Sequence, residues 1–152
     1  MTDDPFYHPQ EDSAEAAIEA IADELSVFDE DWDRYQFIID MGKTLPPFPA
    51  DWMNDAHKVP GCQSQVWMEA RVENVALYLA GKSDALIVGG LIALLLRVYS
   101  GRTPAEILAT DPVWLKTLGL TGSLSINRGS GLEAMARKIH ELAASVRTQS
   151  GT

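Results

Sequence analysis

The hydrophobic period of this sequence changes twice, and where it changes limits the folds open to it. Apolar residues recur at helical spacing from Ile18 to Met41, and again from Ala85 to Tyr99 and from Leu132 to Val146. Between Val66 and Ala80 the spacing shortens to two. Val66, Met68, Ala70 and Val72 alternate there with Trp67, Glu69, Arg71 and Glu73. That alternation predicts a strand with one buried face, with Trp67 outward or at an interface. A tight turn at Glu73-Asn74 and a second strand over Val75 to Ala80 complete an antiparallel hairpin. One hairpin among helices predicts an α+β domain: a small antiparallel sheet of two to three strands packed with several α-helices. A third strand near His57 fits the chain but has no periodicity behind it.

Helix punctuation supports this division. Asp12 or Ser13 can cap a first helix carrying Ile18, Ile21, Leu25 and Phe28. A second helix begins at Asp31 and is stopped by Leu45-Pro46-Pro47-Phe48-Pro49, because proline cannot continue a helix interior. Asp84 can cap the apolar helix Ala85 to Tyr99, the expected centre of the core. Gly89-Gly90 inside that helix costs about 1 kcal/mol per residue relative to alanine, which points to close packing against a neighbour. Thr103-Pro104-Ala105-Glu106 and Ser130-Gly131-Leu132-Glu133 read as capping boxes. Asp111-Pro112 opens a short helix that ends near Gly119. The expected organisation is a flexible N-terminus over residues 1–12, one domain over 13–147 and a flexible C-terminus over 148–152.

The 152 residues contain one cysteine. One thiol forms no internal disulfide and builds no cysteine-rich zinc or iron–sulfur site, so hydrophobic burial must hold the fold, in a reducing compartment. The three histidines are scattered without metal-ligand spacing. The longest uncharged apolar run, Ala85 to Leu96, is 12 residues, against roughly 20 for a membrane span. The acidic start lacks the apolar stretch of a secretory signal. A cytoplasmic protein without a membrane segment is expected. The first 40 residues carry 13 acidic side chains and one basic; the remaining 112 carry 9 acidic and 11 basic. Such a face repels nucleic acid and reads as a solvated helix or as a docking face for a basic partner.

Cys62 follows Pro60-Gly61 and precedes the first strand. Proline fixes one backbone angle and glycine opens conformations closed to other residues, so the pair can present a side chain at a loop tip. A lone cysteine is commonly a small buried hydrophobe; the alternative is a nucleophilic thiolate. The run Val59-Pro60-Gly61-Cys62-Gln63-Ser64-Gln65-Val66-Trp67 resembles the signature around the acceptor cysteine of the SufE family, the cysteine-desulfuration proteins of iron–sulfur cluster assembly. Trp32-Asp33-Arg34-Tyr35 with Ile38-Ile39 and Gly42, then Leu45-Pro46, are similar to the family's second helix and its exit. Ser83-Asp84-Ala85 with Gly90-Leu91-Ile92-Ala93, and Arg128 with Gly131-Leu132-Glu133-Ala134-Met135, match in order. The similarity spans about residues 30 to 140.

This resemblance implies a SufE/IscU-like fold and a sulfur carrier. A pyridoxal-phosphate cysteine desulfurase of the SufS/CsdA kind would pass persulfide sulfur to Cys62, be stimulated by doing so, and the sulfur would go on to a SufBCD-like scaffold complex. The chain would act as a sulfurtransferase accessory, as a monomer or weak homodimer, with no cofactor or metal of its own and no nucleic acid or membrane partner. Its supporting residues would be Gly61, Gln63, Ser64, Asp84 and Arg128. Arg128 belongs to a family motif near the cysteine loop, where a cation stabilises a thiolate or persulfide; otherwise it is a surface arginine. Gln63 and Ser64 bond the sulfur or shape the loop, and Asp84 caps its helix or holds the loop at rest. Three other readings remain: a thiol-independent allosteric activator of a desulfurase, a thiol peroxidase resolved by another molecule, and a Cys62–His57 hydrolase or transferase.

Overall fold

The computed structural model describes residues 4–61, 65–120 and 131–149. The elements run α1 (Ala14–Leu25), α2 (Asp31–Gly42), a 3-10 turn (Ala50–Trp52), β1 (Val66–Glu73), β2 (Ala76–Ser83), α3 (Leu86–Tyr99), α4 (Pro104–Ala109), α5 (Val113–Thr117) and α6 (Leu132–Gln149). This is the expected α+β architecture. β1 and β2 pair antiparallel from Val66 opposite Ser83 to Glu73 opposite Ala76. The turn is therefore Asn74-Val75, one residue later than expected, because Asn74 adopts the left-handed φ of 59° that a two-residue hairpin loop requires. β2 runs on to Ser83, beyond the expected end at Ala80.

α3 is apolar over most of its surface because it is covered along most of its length. It packs against α1, α2, α6 and β2, and its Leu91, Ile92, Leu94, Leu95 and Leu96 are fully buried. α2 crosses it at backbone contact. A Cβ on Gly90 would overlap the Ile38 carbonyl, and one on Gly42 would lie 2.9 Å from the Gly90 nitrogen. Of the Gly89-Gly90 pair only Gly90 serves this contact; a Cβ on Gly89 would meet nothing within 4 Å. Tyr99, at the end of α3, donates to the Thr110 carbonyl (2.8 Å) and accepts from Trp114 Nε1 (3.1 Å). Burial pushes its phenol up to about 12. The stripe on α6 is buried as its spacing predicts, through Leu132, Met135, Ala136, Ile139 and Ala143.

Caps follow the sequence in part. Ser13 caps α1 by accepting from the Ala16 N–H, and Thr103 caps α4 by accepting from the Glu106 N–H, each at 3.1 Å. Glu106 does not close its capping box; its carboxylate accepts instead from the Ala14 N–H at 2.8 Å. One side chain thus ties the start of α1 to α4. Asp84 is not the cap of α3, which starts at Leu86 after Ala85 and has no side-chain cap. Ser130 lies outside the described residues.

Two readings are corrected by packing. The N-terminal residues, expected to be loose, are laid along β2 from Asp4 onward. The Tyr7 N–H donates to the Leu79 carbonyl (2.8 Å), Ser100 Oγ donates to the Tyr7 carbonyl (2.6 Å), and Phe6 is buried under the Arg71 guanidinium. Nearby, Arg97 holds both Glu11 and Glu24 at 2.7–2.8 Å. Trp67 is buried rather than outward, while Val72, expected on the buried face, is half exposed. The reason is a short third segment. The Val59 N–H donates to the Val66 carbonyl (2.8 Å), the Met68 N–H donates to the His57 carbonyl (2.9 Å), and Lys58 bridges Trp67. The outer edge of β1 is covered at its start and open at its end, so its exposure changes along the strand rather than by alternation.

Candidate functional site

Cys62, Gln63, Ser64 and Arg128 lie outside the described residues; the structure describes what holds the two ends of the cysteine loop. The entry is the edge segment just described, with Val59 buried against the core. Gly61 then takes a φ of +88°, and a Cβ there would lie 3.3 Å from the Ala134 side chain. The left-handed conformation and the neighbour both favour glycine, so the Pro60-Gly61 pair turns the chain beside the first turn of α6. Gly131 stands at the start of that helix with a φ of +80°, three residues after Arg128 in sequence. The entry to the Cys62 loop therefore lies beside the start of α6.

The exit of the loop is clasped. The Gln65 backbone N–H donates to Asp84 Oδ1 (3.1 Å), its side-chain amide donates to Asp84 Oδ2 (3.4 Å), and the Asp84 N–H donates back to the Gln65 carbonyl (3.3 Å). Asp84 is thus bonded to Gln65 rather than to the start of α3. Gln65 is a partner that sequence reasoning does not single out, since nothing in a local pattern marks a contact across 19 positions.

His57 is held on both nitrogens. Asn54 donates its amide to the Asp51 carbonyl (2.6 Å) and turns its oxygen to the His57 N–H (3.2 Å) and to His57 Nδ1 (2.9 Å). Nε2 lies 2.9 Å from Glu69 Oε2. The ring also stacks on Trp52 at 5.8 Å. Its partners are thus Asn54, Glu69 and Trp52, which brace the edge segment leading to Cys62. The sequence singles out only the histidine of this group; Glu69 reads there as an outward strand residue. His8 meets Asp4 at 3.0 Å, and His140 lies between the Ala136 and Thr110 carbonyls, so the three histidines stay apart. Among the described residues no group of three or more His, Cys, Asp or Glu side chains is arranged to hold a metal ion, and no helix is long and apolar enough to cross a membrane.

Comparison with known proteins places these residues in context. The family model described as "SufE: Fe-S metabolism associated domain" matches residues 19–143. An uncharacterized SufE-like protein of Rhizobium etli is 40% identical over 132 residues, covering 83% of this chain and 88% of that protein. One of Rhizobium meliloti is 38% identical over 128 residues, covering 81% and 91%. The solution structure of a hypothetical protein from Thermus thermophilus superposes with a TM-score of 0.71 at 21% identity, over 87% of this chain and 96% of that one, a likeness of fold.

Proposed function

We infer the function from one premise: this chain belongs to the SufE family. Its place is in iron–sulfur metabolism, and the family implies a cysteine desulfurase as partner. The finer reading is that Cys62 is a sulfur acceptor and carrier. Its thiolate attacks the terminal sulfur of a persulfide on the desulfurase cysteine. A new S–S bond forms at Cys62, the old one breaks, and the desulfurase cysteine leaves as a thiolate, with no net oxidation. The sulfur then passes to a SufBCD-like cluster scaffold in the same way. Arg128, Gln63 and Ser64 would surround that sulfur. The desulfurase would be of the SufS/CsdA kind, the setting cytoplasmic, and the carrier a monomer or weak homodimer.

The observation that carries this reading is that the one cysteine in the chain sits within the family's motif, Gly61-Cys62-Gln63-Ser64. A second thiol nearby would attack the persulfide, close a disulfide and expel sulfide; a chain with one cysteine has no such intramolecular route. The test is intact mass after incubation with a desulfurase and cysteine. A gain of one sulfur atom, mapped to Cys62, is expected. Cys62→Ser should fold normally, accept no sulfur and fail to stimulate multiple turnovers. Stimulation retained by Cys62→Ser would overturn the carrier and favour the allosteric activator.

A further inference from the structure

We propose that the groove between the end of α2 and the start of α3 is a docking seat for an acidic, apolar segment of the cysteine desulfurase. The identity of this partner rests on the reading above. The groove has a volume of about 240 Å³ and is walled by Ile39, Leu45, Phe48 and Leu86, with Gly81 and Gly89 also lining it. Its charged lining residues are Lys43 and Lys82, and no carboxylate among the described residues lines it, in a chain of net charge −10. Lys43 reaches Asp40 at 3.4 Å in an exposed pair, and Lys82 has no ion pair among the described residues. Ala85 and Leu86, at the start of α3, also line the groove. Because Asp84 is turned to Gln65 and α3 has no side-chain cap, the positive end of this helix adds to the two lysines.

Leu86 is 76% exposed, an unusual position for a large apolar side chain on the rim of a groove. The chemistry that complements this surface is a carboxylate directed at Lys43 and Lys82, flanked by apolar side chains against Leu45, Phe48 and Leu86. The seat also adjoins the sulfur loop. Ser83 and Ala85 line it, and Asp84 between them clasps Gln65 at the exit of the Cys62 loop. A partner segment placed here adjoins the Asp84–Gln65 contact, three positions after Cys62 in sequence.

The test uses two variants that leave the core intact. Gly89→Leu fills the groove from a position where an added Cβ meets nothing within 4 Å, and Lys82→Glu reverses a charge at an exposed site. Val75→Asp, in the exposed hairpin turn, is the control. Each protein is titrated by calorimetry against the cysteine desulfurase encoded in the same genome, and sulfur on Cys62 is read by intact mass. We expect Kd to rise about tenfold for both groove variants and to stay within about twofold for the control, with no fall in Tm. The Lys82→Glu effect should shrink in about 1 M salt. An unchanged Kd in both groove variants overturns the seat, as does absence of binding by the natural chain. A change in self-association without a change in Kd assigns the groove to a second copy and likewise overturns it. If the groove variants weaken binding but the natural chain takes up no sulfur, the carrier reading falls and the seat stands. If sulfur is taken up and the variants bind normally, the seat falls alone.

Discussion

Two adjacent glycines on α3 show how far chemically identical residues diverge once packed. Gly90 is required because the Ile38 carbonyl occupies the place of its Cβ, whereas Gly89 faces open space. Gly89→Ala should raise stability by about 1 kcal/mol through helix propensity. Gly90→Ala should lower it by about 3 kcal/mol, since backbone cannot move aside as a side chain would. Urea unfolding of the two variants checks both signs. His57 is braced from both sides, by Asn54 at Nδ1 and by Glu69 at Nε2, each at 2.9 Å.

At the scale of elements, the residues on either side of Cys62 are fastened in two different ways. The entry is an edge segment paired to β1 by two backbone hydrogen bonds; the exit is a carboxylate clasp from the residue before α3's N-terminal turn. Exposed polar clasps are weaker than buried strand pairing, so the exit should release first. Asp84→Ala should therefore speed alkylation of Cys62 several-fold while leaving the core, and Tm, close to the natural chain. Alkylation at the natural rate would show that the clasp does not restrain the loop. The edge segment also explains the one misjudged strand face: period-two alternation describes a strand with the same neighbours along its length, and β1 has a third neighbour only at its start.

For the whole molecule, the acidic N-terminal third is an integrated part of the fold. Glu11 and Glu24 both bind Arg97, and the Arg97 guanidinium holds the Glu11 carboxyl below its ordinary value of 4.5. Asp4 is lowered as well, first by the Phe6 N–H and then by His8. A carboxyl depressed in the folded state adds stability that is complete above its unfolded pKa and is lost as pH falls through the folded one. Stability should thus begin to fall below about pH 4.5, and Glu11→Gln should flatten part of that decline. Urea midpoints followed from about pH 6 to about pH 3 test this; an equal slope in Glu11→Gln would separate the Arg97 cluster from acid sensitivity. Glu24 is committed to the same cluster, so reversing its charge breaks an ion pair.

Local pattern was enough for the helices, the hairpin, the cap residues Ser13 and Thr103 and the α+β class, because each depends on spacing or on neighbours within four positions. The motif around Cys62 was legible for the same reason, as a contiguous run of particular residues. Tertiary structure decided what depends on distant partners. Asp84 could cap its helix, yet it accepts from the backbone of Gln65 instead. Glu106 could close its own box, yet the free N–H of Ala14 lay within reach. Trp67 and the N-terminal residues followed no alternation or helical period, and their burial came from segments laid over the sheet. A sequence specifies how each stretch can hydrogen-bond and which face it would bury; only the assembled chain brings up the competing donor or covering segment that determines which of those possibilities is used.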